Sequence, residues 1–360
     1  MASRGCATVP AMADRIPLIL DVDTGIDDSL ALLYACASPE VELIAATCVA
    51  GNVEARQVAE NTRAVLELAG RADVEVALGR EVPLVRDLEI SPETHGPRGI
   101  GDAELPPPSR PLSDRHAVDL LIEEARRRPG ELTLVTLGPL TNLAMAVLRE
   151  PELPRLLRRY VLMGGSYRSP GNTAPTTEWN IHVDPDAARI VFTAWAAATA
   201  ADPAIHRPTA LGLDVTERAI FTPEHMVRLA RRAGSHPDDR LTPAEGPETR
   251  SVATHRVIRF VADALRFYME FHREYDGFYG AFIHDPLALA AALDPSLVRT
   301  AAVTVDVELE GRLTAGETVA DWRRRWGRPP NLDVAVEADA ERFLDRFIER
   351  VGELAGRIGE

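Results

Sequence analysis

Read for its apolar and polar positions, the chain opens on a short run of β-formers, Leu18-Ile19-Leu20, that turns abruptly acidic at Asp21-Val22-Asp23-Thr24-Gly25-Ile26-Asp27-Asp28. Leu30, Leu33, Tyr34 and Ala37 then recur at spacings of three and four, the mark of a helix face. The pattern predicts a buried strand, a tight turn at Gly25 and a helix beginning near Asp27. The alternation continues. A strand over 41–50 ends in Gly51-Asn52, a helix over 53–68 is closed by Gly70, and a short strand covers 74–78. Residues 132–137 read as a fully buried strand, 140–148 as the helix after it, stopped by Pro151, and 160–163 as another short strand. This order predicts an α/β fold with an open, mostly parallel but mixed sheet and helices on both faces. Ligands in such sheets gather at the carboxyl ends of the strands. That rule puts the acidic octet, Asn52, Leu137 and Met163-Gly164-Gly165 along one rim.

Two irregular stretches interrupt the pattern. Residues 83–113 run through prolines from Pro83 to Pro111 and enclose His95-Gly96-Pro97-Arg98-Gly99-Ile100-Gly101. A loop of that length reads as a lid or binding loop; with prolines around its glycines and no strand leading in, it is not a dinucleotide fingerprint. Residues 234–248, polar and acidic, read as a surface excursion. Asp184-Pro185 starts a helix to about 198, with Asp as cap and Pro in the first turn. Further on come a helix over 252–271, the aromatic segment Tyr275-Asp276-Gly277-Phe278-Tyr279-Gly280, and His284-Asp285-Pro286 opening a helix over 287–293. An alternating strand over 303–309 and an amphipathic helix over 338–358 finish the chain. With no internal repeat and no low-complexity linker, residues 16–360 read as a single domain, behind a leader, 1–15, expected to be disordered.

Composition narrows the chemistry. Of 360 residues 46% are apolar, enough for a sizeable core, and a net charge of −15 argues against nucleic acid or an anionic membrane as partner. All 40 basic residues are arginine, so there is no Schiff base, no pyridoxal anchor and no phosphate-loop lysine. Cys6, Cys36 and Cys48 are odd in number and scattered, which fits reduced thiols and a cytoplasmic location. No apolar run is long enough to span a bilayer, and the first residues lack a signal peptide's apolar region.

Four acids at one strand tip repel unless something positive sits among them. A hard cation with oxygen ligands, Ca²⁺ or Mg²⁺, answers that need. An EF-hand loop does not fit, since its third acid and closing Glu are missing. The polar residues at strand ends and in the following loops are Asp21, Asp23, Asp27, Asp28, Asn52, Asn172, Glu178, Asn180, His284 and Asp285. That set is rich in carboxylates and amides and poor in cations. It suits a neutral, hydroxyl-rich ligand held partly by a metal, and not a phosphorylated one.

The acidic octet resembles the signature of the inosine–uridine-preferring nucleoside hydrolases. The resemblance continues in order through Gly51-Asn52, His95-Gly96, Leu137-Gly138-Pro139-Leu140-Thr141-Asn142, Met163-Gly164-Gly165, Asn172, Glu178-Trp179-Asn180 and His284-Asp285-Pro286. It implies a Rossmann-like α/β fold, calcium-dependent hydrolysis of the N-glycosidic bond of ribonucleosides, and a homodimer or homotetramer. It further implies that Asp23, Asp28, Asp285 and the Leu137 carbonyl hold Ca²⁺, with Asp21 just behind them. Asp23 would be the general base on water and His284 the acid for the leaving base. Asp27, Asn52, Asn172, Glu178 and Asn180 would grip the ribose hydroxyls, with Met163 against the sugar and His95 closing over the site. The chemistry agrees: an oxocarbenium-like sugar favours carboxylate surroundings, and an imidazole titrating near neutrality suits a leaving-group acid. Trp179 departs from the pattern, which expects Phe. Segments 225–234 and 268–283, which would face the base, are the least matched.

Two other readings stay open. Asp21-Val22-Asp23-Thr24 also resembles the start of haloacid-dehalogenase-like phosphatases, with Asp21 as nucleophile, although their later lysine is missing. A non-catalytic nucleoside- or sugar-binding protein on the same fold is the second.

Overall fold

The first strand, β1 (Ile16–Val22), is apolar on both faces because it is covered on both. Leu18, Leu20 and Val22 enter one apolar cluster and Ile19 the other, as period-two alternation requires. In the computed structural model, which describes residues 15–236, 250–253 and 255–359, β1 lies centrally. The strands are β1, β2 (Val41–Cys48), β3 (Glu75–Leu78), β4 (Thr133–Thr136), β5 (Arg159–Met163), β6 (Thr209–Leu211), β7 (Ile220–Phe221), β8 (Ala281–Phe282), β9 (Val298–Val303), β10 (Val305–Val307), β11 (Thr318–Ala320) and β12 (Leu332–Ala338). Eight form one sheet in the order β3-β2-β1-β4-β5-β6-β12-β9. All neighbours are parallel except β12 and β9, so the mixed α/β sheet is as expected. The pairs β7–β8 and β10–β11 stand apart from it.

Helices cover both faces. Ile26–Ala37, Arg256–Tyr275, His284–Leu293 and Ala340–Ile358 pack on one side, and Ala117–Arg127, Thr141–Arg149 and Pro185–Ala201 on the other. The strand order reverses between β1 and β4, and a crevice opens at that point beyond the carboxyl ends of the strands. The acidic octet leaves β1 there and Leu137 leaves β4.

Most expected elements form, with shifted ends. The long helix starts at Arg256 rather than near 252, and the strand expected over 303–309 is two strands, β9 and β10, meeting at Thr304. Helix Ala117–Arg127 and strands β6 and β12 are additional. The loop over 83–113 is held down at many points. Arg98 O and Arg110 O accept from Asn61 and Arg63 at 2.7 and 2.6 Å, and Ser91 N donates to Asn52 O at 3.1 Å. All but the last residue of the leader expected over 1–15, and most of the stretch expected as a surface excursion, lie outside the described residues. No helix among the described residues is long and apolar enough to cross a membrane.

Candidate active site

The turn after β1 folds around one carboxylate. Asp28 Oδ2 accepts the N–H of Gly25 at 2.8 Å and its Oδ1 that of Asp23 at 3.2 Å, so the first turn of helix Ile26–Ala37 is capped by its own acid. Asp23 is wedged behind this turn. Its Oδ2 accepts the N–H of Asn52 at 2.9 Å. A Cβ on Gly51 or Gly138 would fall 2.2 or 2.7 Å from its oxygens, so both positions must be glycine. Asp285 arrives from the first turn of helix His284–Leu293.

Asp27, Asp28 and Asp285 bring one oxygen each to within 4.8 Å of one another, all three buried. Burial is the main cause that holds all of them above the usual carboxylate range. Like charge adds to it at Asp27 and Asp285, and Asp27 is pushed up to about 8, while hydrogen bonds pull against it at Asp28. Burial and then Asp28 raise Asp23 in the same way. Three desolvated acceptors without a counter-charge are costly unless protonated or shared by a cation. An all-oxygen donor set fits a hard divalent ion such as Ca²⁺ or Mg²⁺, and not one that wants sulfur or imidazole.

Above the triad lies a cavity of about 450 Å³. Its floor carries Asp27, Asn52, Leu137, Met163, Glu178 and Asn180. Asn52 reaches Asp28 Oδ2 through Nδ2 at 3.3 Å. Asn180 Nδ2 donates to Leu137 O at 2.6 Å and lies 3.4 Å from Met163 Sδ. Glu178 caps helix Trp179–Val183 by accepting from the N–H groups of Asn180, Ile181 and Gly165 at 2.8, 3.1 and 2.9 Å. Asn172, exposed at the rim, accepts the N–H of Trp179 at 3.0 Å. Among the described residues no arginine lines the cavity.

The other end is imidazole and aromatic. His284 Nδ1 sits 2.8 Å from Thr216 Oγ1, so Nε2 is the nitrogen left for the cavity. His95 Nδ1 accepts the N–H of Ile26 at 3.2 Å, and its ring lies 5.5 Å from Tyr268. Burial, then neighbouring imidazoles, lowers both histidines to about 3.

Several expectations are thereby altered. His284 does not titrate near neutrality; burial keeps it neutral, so it meets the cavity as a hydrogen-bond donor rather than as a charged acid. His95 already lies buried on the short helix Pro92–His95, tied to the start of helix Ile26–Ala37, and does not wait on an open lid. Asp23 and Asp28 lie beneath the cavity wall, and the convergent triad contains Asp27 where Asp23 was expected. Asp21 stands apart, its Oδ1 accepting from Thr47 Oγ1 at 2.5 Å and Asn142 Nδ2 at 2.8 Å; it does not line the cavity, which speaks against an Asp21 nucleophile. Asn52, His95, Met163, Asn172, Glu178, Asn180 and His284 all line it. Of the two segments expected to face the base, 268–283 does so and 225–234 does not line the cavity; within the first, sequence reasoning had not singled out Tyr268, Phe271 and His272, which with Tyr275 close the roof. Their spacing of three and four on one helix was the signal that could have found them.

The comparisons with known proteins agree in kind. The family model described as inosine-uridine preferring nucleoside hydrolase matches residues 18–345. An inosine-uridine preferring nucleoside hydrolase of Leishmania major is 38% identical over 344 residues, covering 93% of this chain and 98% of that protein. A pyrimidine-specific ribonucleoside hydrolase, RihA, of Enterobacter sp. (strain 638) is 38% identical, covering 95% and 99%. Among solved structures, a purine-preferring ribonucleoside hydrolase from Gardnerella vaginalis superposes with a TM-score of 0.82 at 35% identity, covering 95% and 99%.

Proposed function

The chain belongs to the inosine-uridine preferring nucleoside hydrolase family and is a ribonucleoside hydrolase, and from that premise we propose how its own residues carry the reaction. Asp28, Asp285 and the Leu137 carbonyl, with Asp23 and Asp27 beside them, would hold Ca²⁺. The observation that carries this reading is the buried, uncompensated triad of Asp27 and Asp285, which line the cavity, and Asp28 beneath it. When bound, the ion supplies positive charge that acidifies water and fixes a sugar diol.

Asp23 takes the proton of the attacking water, as the carboxylate that a cation beside it would keep ionised. Asp27, Asn52, Asn172, Glu178 and Asn180 bind the ribose hydroxyls, with Met163 against the ring. Glu178 and Asp27 also face the positive charge that develops on the sugar as the N-glycosidic bond breaks. His284 gives the departing base a hydrogen bond from Nε2 while Thr216 holds Nδ1. His95 shields this step from water. We read residues 16–360 as one domain, a homodimer or homotetramer working in nucleoside salvage in the cytoplasm; the free thiols of Cys36 and Cys48 support a reducing compartment.

The test is release of free ribose from inosine and uridine, with Ca²⁺ and with a chelator, against p-nitrophenyl phosphate as the phosphatase control. Calcium-dependent ribose release without phosphatase activity is expected. Tight nucleoside binding without turnover would overturn the reading in favour of a binding protein.

A further inference from the structure

Away from the ribose floor the cavity ends in two carboxylates, Glu217 and Asp276. Each follows directly from the leaving-group histidine. Glu217 is the residue after Thr216, which holds His284. On the other side, Phe282 lies 5.8 Å from His284 and 4.7 Å from His272, whose Nδ1 is 2.7 Å from Asp276 Oδ2. Both line the same cavity, and burial, then the charge of Asp276, raises Glu217 to about 7. Helix ends place both. Glu217 closes Leu213–Thr216 and Asp276 closes Arg256–Tyr275. Among the described residues no arginine lines this end to neutralise them.

Resting on the hydrolase reading, we propose that Glu217 and Asp276 are specificity residues that select nucleobases carrying an exocyclic amino group over their keto counterparts. A carboxylate only accepts hydrogen bonds. The amino group of cytosine or adenine can donate to either acid. The carbonyl of uracil or hypoxanthine in the same place brings a third acceptor against two. A hydrogen bond to a charged group, or the cost of an unpaired one, is large enough to order substrates. Aromatic groups on the roof, Phe271 and Tyr275 among them, supply area that every base can use and so leave discrimination to the acids.

The experiment compares kcat/KM for cytidine against uridine and for adenosine against inosine on the calcium-loaded protein, at about pH 8.5, where Glu217, raised by burial to about 7, is ionised. Calorimetric binding of the four free bases reads the same preference without turnover. The amino member of each pair is expected to be favoured by about tenfold, with Glu217→Gln and Asp276→Asn each moving the ratios toward one. Keto nucleosides equal to or better than their amino partners, or ratios indifferent to both substitutions, would overturn the proposal. Absence of ribose release from every nucleoside would instead refute the hydrolase reading, and the base-binding ratios would then decide the proposal alone.

Discussion

Thr216 Oγ1 lies 2.8 Å from Nδ1 of His284 and 3.2 Å from the carbonyl of Gly212. The hydroxyl has one proton to give. Donated to Nδ1, it leaves the proton of the neutral ring on Nε2, facing the cavity; donated to Gly212, it lets Nδ1 keep the ring proton and Nε2 becomes an acceptor. Only the first arrangement serves a departing base.

Thr216→Val removes this control and lets both tautomers populate. Turnover of inosine should drop about tenfold or more. p-Nitrophenyl riboside, whose leaving group needs no proton, should lose little. Equal losses on the two substrates would detach Thr216 and His284 from stabilising the leaving group.

Asp23→Asn keeps the acceptor for the Asn52 N–H but removes a base whose carboxylate is raised by burial and by Asp28. The fold should persist, read by circular dichroism, while kcat falls by about 10²-fold or more. Near-normal turnover would take Asp23 out of the mechanism.

Asp21→Asn tests the phosphatase reading. Asp21 Oδ2 is buried with no hydrogen-bond partner among the described residues, and burial pushes the carboxyl up to about 7. An amide oxygen can still accept from Thr47 and Asn142, so stability should change by less than about 1 kcal/mol and ribose release should survive. Loss of all activity with the fold intact would restore Asp21 as a reacting group.

Stability of the metal-free chain should fall with pH above neutrality. Asp27 titrates at about 8 folded against 3.8 as its ordinary value, and Asp21 at about 7. Between those limits the folded chain holds more protons than the unfolded one, so stability decreases as pH rises. His95 and His284, lowered to about 3 from 6.5, act in the opposite sense but only below 6.5. From pH 6.5 to 8 the acids act unopposed, each pH unit costing about 1.4 kcal/mol per carboxyl still protonated only in the folded state. Thermal melts in chelator should shift down by several degrees over this range, and added Ca²⁺ should raise the melting temperature more at pH 8 than at 6.5. Melts that rise with pH and ignore Ca²⁺ would mean the triad is not an ion seat.

What could be read from the chain alone was whatever depends on near neighbours. The alternation around Leu18–Leu20, the glycine turn and the Asp184-Pro185 start each declare a strand, a turn or a cap within a few residues, because backbone preferences and burial periods are local. The rim followed from a topological rule that needs only the order of elements, and the ordered motifs pointed to the family. Element ends such as Arg256, and the β9–β10 break at Thr304, were settled by packing that no short window contains. The same holds for the site's finer arrangement. Asp23 turning toward Gly51 and Gly138 while Asp27 joins Asp28 and Asp285 depends on contacts across more than a hundred positions. So does the burial that keeps His284 neutral, and so does the roof of Tyr268, Phe271, His272 and Tyr275 brought over the rim from a distant helix. Desolvation and through-space charge act between residues the chain brings together only when folded, and they decide protonation and geometry where sequence spacing is silent.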